Sequence, residues 1–129
     1  MCEILATAKR IAVLGASANP SRTAFGISNY LRRAGYDVVP VNPQYKEVQG
    51  EKCCASLAEI SGAVDIVDVF RAAEHEDEVA DAILAMKHKP RAVWFQLNAG
   101  GEGVRERLEE AGITVFVDHC IMVDHTNCQ

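Results

Sequence analysis

The chain has 129 residues, 49% hydrophobic and 24% charged, which is enough material for one core and too little for two. Thirteen Lys and Arg against eighteen Asp and Glu leave a net charge of −5, which speaks against nucleic acid as a partner but allows a compact anion where bases cluster. No apolar run approaches the roughly eighteen residues that span a bilayer, so no membrane partner is expected.

Met1-Cys2-Glu3-Ile4 lacks the basic region and apolar stretch of a secretory signal, so a cytoplasmic location is expected. Cys2, Cys53, Cys54, Cys120 and Cys128 are odd in number in a chain long enough to fold unstapled, so free thiols are expected.

Apolar segments then alternate between two periods. Arg10-Ile11-Ala12-Val13-Leu14 is a strand-sized run that stops at Gly15. Ile27, Tyr30, Leu31 and Ala34 lie at helical spacing and end near Gly35. Val38-Val39-Pro40-Val41 predicts a second strand, with Pro40 placed where no backbone donor is required. A polar loop runs from Asn42 to Lys52, and Ser56 is positioned to cap a helical turn through Ile60. Asp65 to Phe70 predicts the third strand.

Val79, Ile83 and Met86 mark a helix that begins acidic and is expected to close on Lys87, His88 and Lys89, with Pro90 stopping it. Ala92-Val93-Trp94-Phe95 predicts the fourth strand, with Trp94 and Phe95 packing on opposite faces. Val104, Leu108 and Ala111 mark a further helix, and Ile113 to Val117 the fifth strand. Beyond it, a frayed terminus is expected.

Five strands alternating with helices predict one α/β domain over residues 1–129, a three-layer, doubly wound parallel sheet. The order expected is 3-2-1-4-5, which places a ligand crevice between the first and fourth strands at their C-terminal ends. The loop after the first strand, Gly15-Ala16-Ser17-Ala18-Asn19-Pro20-Ser21-Arg22-Thr23, suits phosphate: glycine, amide donors, hydroxyls and a helix start. A tight turn common to all such folds is the plainer explanation, and Arg22 favours phosphate.

The loop lacks the glycine spacing of the dinucleotide fingerprint, and Asn42 stands where an NAD site places Asp or Glu. With no acid there, a ribose phosphate is tolerated, and Arg22, Lys46, Lys52 and Arg71 are candidate bases; as alternatives, Lys46 and Lys52 are solvated surface charges.

From about Arg10 to His125 the chain resembles the stand-alone CoA-binding proteins, related to the Rossmann-like CoA-binding domain of the succinyl-CoA synthetase alpha subunit. The resemblance rests on Gly15-Ala16-Ser17 with Pro20-Ser21-Arg22, Tyr30-Leu31 through Gly35-Tyr36 and Pro40-Val41-Asn42-Pro43. It continues in Ser56-Leu57 with Ile60, Val64 to Arg71, Trp94-Phe95-Gln96 and Ala111 to Cys120.

It implies that Gly15, Ala16, Ser17, Arg22 and Thr23 meet the CoA phosphates and that Val41, Asn42 and Pro43 flank the adenosine. Lys46 would take the ribose phosphate, Val69, Phe70 and Arg71 the nucleotide, and Gln96 the pantetheine path. Two stretches depart from the family pattern: Leu97 to Gly103 replaces a Gly followed by Asn-Glu-Glu-Ala, and Asp118-His119-Cys120 replaces Asp-Arg-Cys. The second exchanges a fixed charge for a titrating one.

No catalytic constellation stands out, because the phosphohistidine chemistry of the synthetase belongs to a domain outside this resemblance. His75 and His88 read as helix-end residues, and Glu74 to Glu78 as a charged first turn. His119, Cys120, His125 and Cys128 bring metal-ligand atoms close together, but H-C-x4-H-x2-C matches no strong zinc pattern. Cys120 lies on the crevice edge, where a mixed disulfide with the CoA thiol is conceivable and buried packing is the plain alternative; Cys53 and Cys54 read as packing residues.

The expected function is therefore a non-catalytic CoA or acyl-CoA binder. An NAD(P) oxidoreductase or redox sensor competes on fold alone, and a scaffold with a vestigial crevice is a third reading. A second copy or another protein remains open as a partner.

Overall fold

A computed structural model describes the whole chain, Met1–Gln129. The apolar runs form five parallel strands, β1 (Arg10–Leu14), β2 (Asp37–Val41), β3 (Ile66–Val69), β4 (Ala92–Phe95) and β5 (Thr114–Val117). The helices are α1 (Cys2–Thr7), α2 (Thr23–Arg33), α3 (Glu76–Leu84), α4 (Arg105–Glu110) and α5 (Ile121–Asn127). Between β2 and β3 lie a short antiparallel ribbon, Glu47–Val48 against Glu51–Lys52, and a 3-10 turn, Leu57–Glu59. None of the helices is long and apolar enough to cross a membrane.

The α/β class and the parallel sheet are as expected, but the strand order is not. The sheet runs β2-β1-β3-β4-β5, with β3 inserted beside β1 in the register Ile11↔Ile66 to Leu14↔Val69. The expected 3-2-1-4-5 put β3 at the edge, which its burial forbids: Ile66, Val67, Asp68 and Val69 are all fully buried. β2 suits the edge instead, since Asp37 is exposed and Pro40 has no N–H to offer an outer neighbour. Its outer side meets only a single bridge, Val41↔Cys54, with Cys54 N–H donating to the Pro40 carbonyl at 3.0 Å.

Strand alternation sends side chains to two cores. Ala12, Leu14, Val67, Val69, Val93 and Phe95 face α3 and α4, where Val79, Ile83, Val104 and Leu108 meet them. Ile11, Val13, Ile66 and Trp94 face α2, α1 and α5, against Ile27, Leu31, Leu5 and Ile121. Trp94 and Phe95 thus occupy opposite layers, as their adjacency predicts.

Several boundaries differ from the periodicity. α3 stops at Leu84 rather than continuing to Lys89, because Met86 N–H closes a tight bond on the Ile83 carbonyl at 3.1 Å. His75 is the N-cap residue of α3, and His88 lies beyond the helix. Ser56 precedes the 3-10 turn without a side-chain cap bond, and Ala111 is exposed beyond α4. Glu76, Asp77 and Glu78 do form the expected acidic first turn.

The largest correction concerns the ends. The expected frayed terminus is helix α5, held by Tyr30 Oη, 2.6 Å from His125 Nδ1 and 3.0 Å from Thr126 Oγ1. Cys2 and Cys128 are joined as a disulfide, leaving Cys53, Cys54 and Cys120 free. The bridge forms because α1 and α5 pack side by side on one face of the sheet, bringing the two Cα atoms to 5.5 Å.

Two side chains keep buried polar atoms without a partner, Arg32 at Nε and Nη2 and Asp68 at both oxygens. Asp68 in β3 is fully buried and neither carboxylate oxygen has a partner, so burial pushes its carboxyl well above the usual range. The folded chain therefore holds the proton more tightly than the unfolded one. This contribution to stability is complete below the ordinary carboxylate range and is lost as pH rises through the folded pKa.

Asp68→Asn, neutral throughout, should remove this loss: relative to the variant, the wild type should weaken steadily above about pH 4 in urea unfolding. Parallel profiles would place a compensating charge beside Asp68. A closed loop spanning 126 residues contributes about 4 to 5 kcal/mol through the unfolded chain's lost entropy. Cys2→Ser should accordingly cost about 2 to 5 kcal/mol in unfolding free energy, and reductant should weaken the wild type while leaving the variant unchanged.

Candidate functional site

Because β3 sits beside β1, the chain reverses its winding direction between them, and the open edge lies there rather than between the first and fourth strands as expected. Two adjoining cavities of about 400 and 650 Å³ occupy the C-terminal ends of the strands, and both are lined by Gly15, Asn42, Gln44 and Arg71. The smaller also takes in Val41, Pro43, Leu57, Glu78 and Val79. The larger extends past Ser17, Arg22, Thr23 and Phe70 to Gln96, Asn98 and Cys120.

The β1–α2 loop is built by local hydrogen bonds. Ser17 Oγ accepts the Asn19 N–H at 3.0 Å, and Asn19 Oδ1 accepts both the Ser21 N–H at 3.0 Å and the Ser21 hydroxyl at 2.8 Å. Gly15 at the loop's start has φ +94°, and a Cβ there would sit 3.2 Å from Phe70 Cβ. Only glycine combines that backbone with so close an approach.

The amides of Gly15 and Ala16 both donate to the Val41 carbonyl, at 2.9 and 3.3 Å, so they tie β1 to β2 instead of facing a ligand. The amides of Ser17, Thr23 and Ala24 make no bond within the chain. Thr23 and Ala24 open α2, where such donors and the helix dipole favour an anion.

Asn42 is a brace: its Nδ2 donates to the Ala16 carbonyl at 2.8 Å, and its Oδ1 accepts the Gln44 N–H at 2.9 Å. Neither Arg22, exposed at the N-cap of α2, nor Arg71, half-buried between the cavities, pairs with any group in the chain. By contrast Arg10, Arg105 and Arg107 are each held by carboxylates.

At the far end, Gln96 is 5% exposed and its Oε1 accepts the Ile121 N–H at 3.1 Å. The loop that departs from the family pattern closes over α3: Gly101 N–H donates to Glu76 Oε2 at 2.6 Å, and a Cβ on Gly101 would strike the Phe95 ring at 2.5 Å. His119 Nδ1 pairs with Asp124 Oδ2 at 2.8 Å, and the same oxygen accepts the Trp94 indole N–H at 2.9 Å. His125 faces Tyr30 and Cys128 is bridged, so the donors of the C-terminal segment point to separate partners; no group of three metal-ligating side chains converges anywhere.

Of the residues singled out from the sequence, Gly15, Ser17, Arg22, Thr23, Val41, Asn42, Pro43, Phe70, Arg71 and Gln96 line one cavity or both. Ala16 and Val69 are fully buried behind the wall, and Lys46 is exposed outside both linings. Gln44, Tyr45, Glu78 and Asn98 also line the cavities; sequence patterning missed them because Gln44, Tyr45 and Asn98 sit in irregular loops and Glu78 reads as helix charge.

A family model described as a CoA binding domain matches residues 9–126. The uncharacterized protein YneT of Bacillus subtilis is 42% identical over 123 residues, 95% of this chain and 90% of that protein. A Thermus thermophilus structure, cell-free ID.343, superposes with a TM-score of 0.92 at 41% identity, covering 98% of this chain and 95% of that one. Over 58 residues, 45% of this chain and 8% of the other, it is 29% identical to the ADP-forming acetate–CoA ligase of Methanocaldococcus jannaschii.

Replacing Gly15 by Ala should cost about 1 to 2 kcal/mol in unfolding free energy, from the left-handed backbone and the Phe70 contact together. Urea titration measures this; an unchanged midpoint would mean that the loop relaxes freely.

Proposed function

The chain belongs to the family of CoA binding domains, and from that membership and the strand-end geometry we propose that it holds coenzyme A or an acyl-CoA by its nucleotide, without catalysing a reaction on it. The observation that carries this reading is the pair of unpartnered guanidiniums, Arg22 and Arg71, beside partnerless amides at the start of α2. In a chain of net charge −5, cations left unpaired around one cavity match a compact polyanion such as a diphosphate.

On this reading the diphosphate lies between Ser17 and the first turn of α2, with Arg22 and Arg71 closing on it. Adenosine enters the smaller cavity among Val41, Asn42 and Pro43, where Leu57 and Val79 supply apolar walls. Pantetheine follows the larger cavity past Phe70 to Gln96. Lys46, on the exposed loop outside the linings, meets the ribose phosphate at the rim. The proposed kinship with the succinyl-CoA synthetase domain is supported at the level of CoA ligases by the 58-residue similarity to the acetate–CoA ligase. We place the protein in the cytoplasm, where reducing conditions favour Cys2 and Cys128 as thiols.

Calorimetric titration tests the reading. CoA should bind and NAD should not, and Arg22→Ala should weaken CoA about tenfold or more, as expected for lost charge-assisted bonds worth about 1.5 to 3 kcal/mol. Since Arg22 is exposed, unfolding should be unaffected. Unchanged affinity would remove Arg22 from the site. Lys46→Ala should narrow the difference between CoA and its dephospho form; an equal difference would exclude Lys46.

A further inference from the structure

We propose that Cys120 is a thiol-exchange site at the far end of the larger cavity, taking up coenzyme A from a CoA disulfide as a protein mixed disulfide. The proposal rests on the CoA reading above and adds a covalent step to it. Of the three free thiols, Cys120 alone lines either strand-end cavity. Cys53 is buried with its Sγ 3.5 Å from the Asn42 carbonyl, and burial pushes its thiol up. Cys54 is bridged by its backbone to the outer side of β2 and lines a different cavity with Arg10 and Asp37.

A second observation at the same end points independently to a ligand. Gln96 is 5% exposed and lines the cavity; its Oε1 is fixed by the Ile121 N–H, whereas its Nε2 has no partner. That nitrogen keeps a little open surface, on a residue of the cavity wall. A nearly buried amide donor kept free calls for an acceptor. Pantetheine supplies one, since its chain carries two amide carbonyls on the way to the thiol. The bond from Gln96 to Ile121 also holds the residue next to Cys120, so one side chain both lines the cavity and positions the sulfur's backbone.

The step is an exchange. The Cys120 thiolate attacks one sulfur of the CoA disulfide, the Cys120 Sγ–S bond forms and the original S–S bond breaks. The second CoA leaves as a thiolate and takes up the proton that Cys120 released. Cys120 is oxidised and the departing CoA reduced, so no other oxidant is required.

The test treats the full chain with CoA disulfide, follows intact mass without reductant, maps the modified cysteine, and measures CoA affinity calorimetrically in parallel. One CoA adduct should appear at Cys120, reverse with reductant and disappear in Cys120→Ser. Its formation should saturate with CoA disulfide, exceed the rate with glutathione disulfide at least tenfold, and be competed by CoA lacking its thiol. A Cys53→Ser/Cys54→Ser variant should still react. An adduct at Cys53 or Cys54, or equal rates with both disulfides, would overturn the proposal. CoA binding without any adduct would overturn it while leaving the nucleotide reading intact, and absence of CoA binding would overturn both.

Discussion

The pairing of β3 against β1 is the contact on which the strand-end edge depends. It continues past the strands, where Phe70 N–H donates to the Leu14 carbonyl at 2.8 Å and brings Phe70 onto Gly15. The loops after β1 and β3 are thereby juxtaposed, with those of β2 and β4 on either side. A side chain at Gly15 would separate them, and the two cavities that share Gly15 and Arg71 would lose their common wall.

Two guanidiniums without a carboxylate partner, Arg22 and Arg71, also stand at this edge. Carboxylates elsewhere are engaged with Arg10, Arg105 and Arg107, mostly near the surface where such pairs contribute little. Arg22 and Arg71 lack such partners, and the backbone donors at the start of α2 lack acceptors. The backbone donors there are fixed by the start of α2, so an anion would have only the two guanidinium side chains to order. The braces that hold this arrangement, Asn42 across the first two loops and Gln96 toward α5, are themselves part of the cavity wall.

How far the sequence discloses this depends on whether a feature is local. Strand runs such as Ala12-Val13-Leu14 and Ile66-Val67-Asp68-Val69 are legible because burial on both faces selects apolar and β-branched residues. Neighbour relations are not written in a run, although Asp37 and Pro40 were the edge signal for β2. Arg22, Arg71 and Gln96 were legible because they follow strand ends, where a doubly wound sheet gathers its ligand contacts. The direction of the Gly15 and Ala16 amides was not, since it is set by the Val41 carbonyl on another strand. The burial of Asp68 and the pairing of Cys2 with Cys128 likewise arise only when distant segments pack.

The bridge between Cys2 and Cys128 also changes how the molecule carries mechanical load. With it closed, the chain between these residues is a covalent ring, and a pull on the two ends passes through one sulfur–sulfur bond instead of through the sheet. Strands β1 to β5 are then shielded from extension. Once the bond is reduced, the same pull acts first on the short helices α1 and α5, and α5 is the element whose first amide holds Gln96.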